Sequence, residues 1–117
     1  MSSLFYQGFF AQTSECYHLD FSNTSATITV AISNEVFDNL RITNNSGNTV
    51  FMQVATTDPG NIAAPTAGAS GSTPVFIVPT GQQTFINTGI TAPANVYIST
   101  ISITGNGSVF LQAGSFI

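Results

Sequence analysis

The residues Thr27-Ile28-Thr29-Val30-Ala31-Ile32-Ser33 decide the fold class, because large and small side chains alternate along them without a break. Ile28, Val30 and Ile32 fall on one side of an extended backbone, and the other side carries threonine, alanine and serine. An alternation with a period of two, rich in β-branched residues, is typical of a half-buried β-strand.

The same kind of pattern recurs along the chain at intervals of roughly ten residues. Further strands are predicted at Phe37–Thr43, Thr49–Ala55, Val75–Val78, Gln82–Asn87, Val96–Thr104 and Ser108–Gln112. No stretch has the periodicity of a helix beyond a single turn near residues 33–38. We therefore expect an all-β protein: an antiparallel β-sandwich of seven to eight short strands, either jelly-roll or immunoglobulin-like.

Local signals refine this expectation. Asn44-Asn45-Ser46-Gly47-Asn48 has the composition of a hairpin turn between two strands, and Gly105-Asn106-Gly107 that of a tight turn. Pro74 and Pro79 enclose a short strand, which predicts an edge position because proline cannot donate to a sheet ladder. Val96–Thr104 is the longest predicted strand.

The apolar residues of Val96–Thr104 change phase. Val96 and Ile98 share one face, whereas Ile101 and Ile103 share the other. A β-bulge near Ser99 or Thr100 would direct all four side chains to the core, and we predict one there.

Charge is scarce, and this excludes several functions. Charged residues make up 5% of the chain, lysine is absent, Arg41 is the single arginine, and the net charge is −4. Nucleic-acid binding and polybasic membrane attachment both need several basic side chains, so neither is expected. No apolar run approaches the roughly 20 residues that span a bilayer. A single cysteine, Cys16, excludes an internal disulfide.

Residues 1–21 differ in composition from residues 22–117. They contain six of the thirteen aromatic residues: Phe5, Tyr6, Phe9, Phe10, Tyr17 and Phe21. This segment is either an arm that docks on a partner or the first strand of the sandwich, and residues 22–117 form the sandwich itself.

A loop at residues 58–73, rich in proline, glycine and alanine, is either mobile filler or a functional loop.

Residues able to do chemistry are few and scattered. Glu35 and Asp38 are the nearest pair of carboxylates for glycosidase chemistry, but they lie in turn-like sequence where aspartate is common for local hydrogen bonding. Cys16, His18 and Asp20 are zinc ligands by type, yet alternate side chains of one strand lie too far apart to converge on one ion. We predict no enzymatic activity, no cofactor and no metal site.

Three segments resemble small virion proteins of tailed bacteriophages. Residues 40–51 (LRITNNSGNTVF) and 78–85 (VPTGQQTF) are similar to strand and turn segments of these proteins. Residues 95–114 (NVYISTISITGNGSVFLQAG) are similar to the closing hairpin of head decoration, or cement, proteins. The resemblance implies a structural protein on the capsid exterior of the virion, bound to the major capsid protein and arranged on symmetry axes as homotrimers.

Four aromatic residues near the N-terminus suggest how such a protein would attach. Phe5, Tyr6, Phe9 and Phe10 are candidate docking residues, because adjacent aromatic pairs point both ways in a strand and must be covered on both sides.

The rival hypothesis is a module that recognises a host surface, such as a tail-fibre or adhesin-like tip, with the loop at residues 59–74 as its binding surface.

Overall fold

The computed structural model describes residues 9–11, 16–34, 36–65 and 75–116, which form nine β-strands and no helix. The strands are β1 Phe9–Ala11, β2 Tyr17–Phe21, β3 Ala26–Ile32, β4 Asn39–Asn44, β5 Val50–Ala55, β6 Phe76–Val78, β7 Gln82–Asn87, β8 Ala94–Ile101 and β9 Gly107–Phe116. The prediction of an all-β protein is confirmed for the described residues.

Strand pairing is nested around the connection between β5 and β6. β5 pairs with β6, β4 with β7, β3 with β8 and β2 with β9, all antiparallel. The chain is thus one long antiparallel ribbon that reverses direction between β5 and β6, and additional β4–β9 and β5–β8 pairing divides this ribbon into two sheets. This arrangement is the jelly-roll, which decides between the two predicted kinds of sandwich.

One sheet contains β1, β2, β9, β4 and β7, and the other has the order β3-β8-β5-β6. β1 and β2 lie along the same side of β9, since Gly114 pairs with Ala11 on that side and with Asn39 of β4 on the other. The nine strands therefore occupy eight strand positions. β6 is at a sheet edge, which confirms the prediction made from its flanking prolines.

The core lies between the two sheets and follows the alternation in the sequence. The five-stranded sheet contributes alternate residues of β2, β4 and β9, and the four-stranded sheet those of β3, β5, β6 and β8. Among them are Leu19, Phe21, Leu40, Ile42, Val109 and Leu111 from the first sheet and Ile32, Val50, Met52, Val78, Val96 and Ile98 from the second. Burial of these side chains supplies the main driving force for folding.

The two predicted turns do not form hairpins. β4 and β5, which flank residues 45–49, belong to different sheets, and so do β8 and β9, which flank residues 102–106. Both connections cross from one sheet to the other at the same end of the sandwich, where the Asn48 side chain donates to the carbonyl of Asn106 (2.8 Å). The prediction of a hairpin was wrong because turn composition indicates a chain reversal without specifying which strands pair.

Asn44 anchors the first of these crossings. Its side chain is fully buried and makes four hydrogen bonds. Nδ2 donates to the carbonyls of Asn48 (3.0 Å) and Val78 (3.1 Å), and Oδ1 accepts from Ser46 N (3.0 Å) and Ser46 Oγ (2.7 Å). Since Val78 belongs to the opposite sheet, this amide links the two sheets as well as the connection between them.

The predicted bulge in β8 is also wrong. β8 pairs in regular register with β3 and with β5, and its inward positions continue as Thr100 and Ser102. Ile101 is half-buried on the outer face and Ile103 is 63% exposed. The strand keeps its alternation and accepts two hydroxyl side chains in the core. Nor is β8 the longest strand, since β9 has 10 residues.

The Ser102 hydroxyl donates to the carbonyl of Thr49 (2.8 Å), but the buried Thr100 Oγ1 has no hydrogen-bond partner. We expect Thr100→Val to stabilise the protein by about 1 kcal/mol, because valine keeps the shape and removes an unsatisfied polar atom. Thr88→Val is the matched contrast, since the Thr88 hydroxyl donates to the carbonyl of Phe37 (2.5 Å) and accepts from Ile90 N (3.1 Å). Chemical denaturation should show opposite signs for the two variants; a destabilised Thr100→Val would contradict this view of the core.

Gly107 begins β9 at a point with no room for a side chain. An added Cβ would lie 2.5 Å from Phe21 Cζ and 2.6 Å from Ser46 Cβ. We expect Gly107→Ala to destabilise the protein by about 1–3 kcal/mol through overpacking. Gly47→Ala is the control, since a Cβ there meets nothing within 4 Å. Equal melting temperatures for the two variants would show that the Phe21 ring can move aside.

The N-terminal segment lies in the five-stranded sheet at residues 9–11 (β1) and again at residues 17–21 (β2). Leu19 and Phe21 of β2 are buried in the core, and Tyr17 packs against it. Residues 17–21 are therefore part of the sandwich, and the choice between an arm and a first strand for the residues before β1 stays a prediction. In the long loop, residues 58–65 have no regular structure, but Ile62 is buried and its N–H donates to Ser25 Oγ (2.9 Å). Residues 66–74 lie outside the described residues.

Candidate docking face

The outer face of the five-stranded sheet carries exposed aromatic, charged and polar side chains. Alternation turns every second residue of β2, β9, β4 and β7 away from the core. The resulting set is His18 and Asp20, Ser108, Phe110 and Gln112, Arg41 and Thr43, and Gln83 and Phe85. We call this set the docking face.

Two phenylalanines are the main apolar groups of the docking face. Phe110 is 42% exposed and Phe85 43% exposed. Phe110 lies opposite Thr43 and Phe85 lies opposite Arg41, so the two rings flank β4 on a diagonal. Strand spacing and rise place their Cα atoms about 12 Å apart. Large aromatic side chains left in solvent are typical of surfaces that bind another molecule.

One of the two rings is stacked against a polar side chain, and hydrogen bonds link the polar residues of the docking face. His18 stacks on Phe110 with ring centroids 4.9 Å apart and an angle of 23° between the planes. His18 Nε2 lies 3.5 Å from Asp20 Oδ1, which also accepts a hydrogen bond from Ser108 Oγ (2.7 Å). Arg41 donates to Gln112 Oε1 on the neighbouring strand. These contacts reduce the freedom of the side chains before any partner binds, which lowers the entropic cost of binding.

The docking face is broad and open. Two shallow depressions lie on either side of Ser108, one of about 490 Å³ towards Asp20 and Asn106 and one of about 290 Å³ towards Asn45 and Phe110. An open surface of this kind suits contact with another macromolecular surface better than enclosure of a small substrate.

The outer face of the four-stranded sheet has an apolar row of its own. Ile77, Phe51 and Ile101 lie side by side on β6, β5 and β8, and Ile77 at the sheet edge is 56% exposed. The molecule therefore presents apolar groups on both outer faces.

Among the described residues, those that the sequence suggested for catalysis or metal binding are not grouped in one site. Cys16, His18 and Asp20 occupy alternate positions at β2 as expected, with Cys16 exposed. Within the described ranges, no three His, Cys, Asp or Glu side chains are grouped to hold a metal ion. Asp38 lies immediately before β4, whereas its candidate partner Glu35 is outside the described residues. That the protein is not an enzyme and needs no metal or cofactor stays a prediction.

The predicted docking residues are placed only in part. β1 includes Phe9 and Phe10, whose backbone pairs with Phe116 and Ser115. Phe5 and Tyr6 lie outside the described residues, and a docking role for these four aromatics stays a prediction. Sequence analysis missed Phe85 and Phe110. The signal was available, because the phase that puts Val109 and Leu111 in the core puts Phe110 on the opposite face.

Comparison with known proteins adds no identification. No family model matches the chain, and searches of curated proteins and of solved structures return no match. Across the part of the chain that the structure describes, no helix has the length and apolarity needed to cross a bilayer.

Proposed function

We propose that this chain is a structural virion protein that decorates the outside of a bacteriophage head and stabilises contacts between major capsid subunits. The observation that carries the proposal is the docking face, a broad sheet surface with two exposed phenylalanines among polar side chains. Protein interfaces are enriched in aromatic residues and depleted of charged residues at their centre.

The scarcity of charge favours such a role. Burying charged groups in an interface is costly unless each is paired, whereas serine, threonine, asparagine and glutamine can exchange hydrogen bonds with water for bonds with a partner. With 5% charged residues, this chain can cover a capsid surface at little cost in charge desolvation. The jelly-roll also fits, since viral capsid domains use it, but lectins share the fold and it cannot decide function by itself.

We further propose that the protein self-associates, most simply as a trimer. The apolar row of Ile77, Phe51 and Ile101 supports this, because it leaves a second apolar surface available when the docking face is on the capsid. Its place beside the edge strand β6 allows contact between copies. Sedimentation at micromolar concentration should show an oligomer in wild type and a smaller species in Ile77→Ser.

The aromatic N-terminus is a second proposed contact with the capsid. We expect deletion of residues 1–8 to leave the fold intact, because it spares β1 and removes none of the described core. Loss of Phe5 and Tyr6 should weaken capsid binding about tenfold or more, since aromatic anchors commonly contribute over 1 kcal/mol each. Melting curves and capsid pull-down measure the two effects. Unchanged capsid affinity would remove these residues from the docking surface.

The copy number per particle tests the proposed function. In purified virions of the phage that encodes the chain, gel densitometry against the major capsid protein should give hundreds of copies in a fixed ratio. A tail-fibre or adhesin-like tip, the alternative function, would be present in tens of copies or fewer. That result, or absence from the particle, would overturn the proposal.

A further inference from the structure

The four-stranded sheet ends on one side in β3, whose outer edge we call the β3 edge. Among the described strands, β3 pairs only with β8, so alternate residues along it direct their N–H and C=O groups away from the sheet. With seven residues, β3 is the longest described strand at a sheet edge. An open edge of this kind is a template for pairing with another strand.

The β3 edge lacks the features that usually protect a sheet edge from such pairing. Its sequence (ATITVAI) contains no charged residue and no proline, and its register with β8 is regular over all seven residues. The opposite edge of the same sheet, β6, has only three residues and lies between two prolines of the sequence. The loop at residues 58–65 reaches Ser25, but none of its described residues hydrogen-bonds to β3 itself.

The side chains of β3 are compatible with an antiparallel copy of the same strand. Pairing centred on Thr29 uses all seven residues. On the core side it sets Ile28 opposite Val30 of the other copy, and Ala26 opposite Ile32. Pairs of β-branched side chains across two strands stabilise a sheet. Because β3 carries no charge, two chains with a net charge of −4 can meet here without like charges directly opposite each other.

We propose that β3 pairs antiparallel with β3 of a second copy about a two-fold axis through Thr29, which joins two four-stranded sheets into one sheet of eight strands. The edge of the five-stranded sheet at β2 lies on the same side of the sandwich, since residues 22–25 link β2 directly to β3. A contact roughly 23 Å long and two sheets deep buries about 900 Å² in total, close to the lower limit for a specific interface. We therefore expect micromolar affinity.

The pairing goes beyond the proposed function and does not depend on it, because it concerns two copies of the chain alone. It is also compatible with the proposed trimer. The apolar row that supports the trimer begins at Ile77 on β6, which is the opposite edge of the four-stranded sheet. Both contacts can form at once, so pairing at the β3 edge would link one trimer to the next.

Cysteine cross-linking tests the register of the pairing. In a Cys16→Ser background, Thr29→Cys should give a covalent dimer on oxidation, because the proposed axis places the two Cα atoms about 4.5–5.5 Å apart, within the range of disulfides. Thr27→Cys is the matched control, since its counterpart lies about 14 Å away and should not react. Mixing Thr27→Cys with Ala31→Cys should restore the cross-link. Failure of Thr29→Cys to cross-link, or equal cross-linking of Thr27→Cys alone, would overturn the proposal.

Sedimentation tests the strength of the contact. Ile77→Ser, which removes the proposed trimer contact, should sediment as a two-chain species over a micromolar concentration series. Adding Thr29→Lys should weaken this association at least about tenfold, because lysine opposes edge pairing and two lysines would face each other across the axis. Thr91→Lys, at an exposed threonine of the β7–β8 connection, is the matched control and should leave it unchanged. A single-chain Ile77→Ser, or an assembly that Thr29→Lys does not weaken, would overturn the proposal.

Capsid pull-down separates this inference from the proposed function. If Thr29→Cys forms the cross-link but the protein does not bind capsids, the proposed function fails and the pairing of copies stands. If wild type is a single chain in solution and Thr29→Lys loses capsid binding, the β3 edge receives a strand of the capsid protein, and the pairing of copies is overturned.

Discussion

Asn44→Asp is expected to destabilise the protein by about 3–5 kcal/mol, which for a domain of this size lowers the melting temperature by roughly 10–20 °C. The substitution changes one atom. It replaces the Nδ2 group, which donates to the carbonyls of Asn48 and Val78, with an oxygen that faces those two carbonyls at about the same distances. The site is fully buried, so neither water nor any nearby cation compensates the new charge.

Asn45→Asp is the control for this experiment. It makes the same chemical change at the next residue, which is exposed, and should cost less than about 0.5 kcal/mol. Thermal and chemical denaturation of both variants measure the difference. If Asn44→Asp were as stable as Asn45→Asp, the buried amide would not link the two sheets, and the crossing at residues 45–49 would have to be held in another way.

The double variant Phe85→Ser/Phe110→Ser is expected to lose capsid binding by a factor of about 100 or more. About two-fifths of each phenylalanine is exposed in the free protein. Burying that remainder of an aromatic side chain is worth about 2 kcal/mol per ring, which for two rings exceeds the roughly 2.7 kcal/mol that corresponds to a hundredfold change. Folding should be little affected, because neither ring belongs to the core.

Ile103→Ser controls for the general loss of an exposed apolar group. Ile103 is 63% exposed and lies in the β8–β9 connection, outside the docking face. The capsid affinity of the Ile103→Ser variant should match that of wild type within about threefold. Equal loss of binding in both variants would indicate non-specific hydrophobic adhesion, and full binding by the double variant would place the docking surface elsewhere.

The alternation of side chains predicted much of the fold. Strands β3, β4, β5 and β7 lie within one or two residues of their predicted bounds, and Leu40, Ile42, Val50 and Met52 point inward as expected. Alternation determines which face of a strand is buried, because that depends on local periodicity. It carries no information on which strands pair, and for that reason the β4–β5 connection was wrongly predicted to be a hairpin.

The candidate sites were less predictable from sequence for a related reason. Phe110 lies out of phase with Val109 and Leu111, but its exposure depends on whether any other segment covers that sheet face. Asp38 was considered only beside Glu35, its neighbour in sequence. Asp38 lies beside Ile90 and Ala92, which the jelly-roll brings to it from the β7–β8 connection. Such proximity follows from topology, which side-chain patterning leaves open.

Electron cryomicroscopy of the intact virion tests the decoration role most directly. We expect density for this jelly-roll at repeated positions on the outer surface of the head, with the face that contains Phe85 and Phe110 against the major capsid protein. Density confined to the tail or its fibres, or a head-bound copy whose docking face points to solvent, would contradict the proposed mode of attachment.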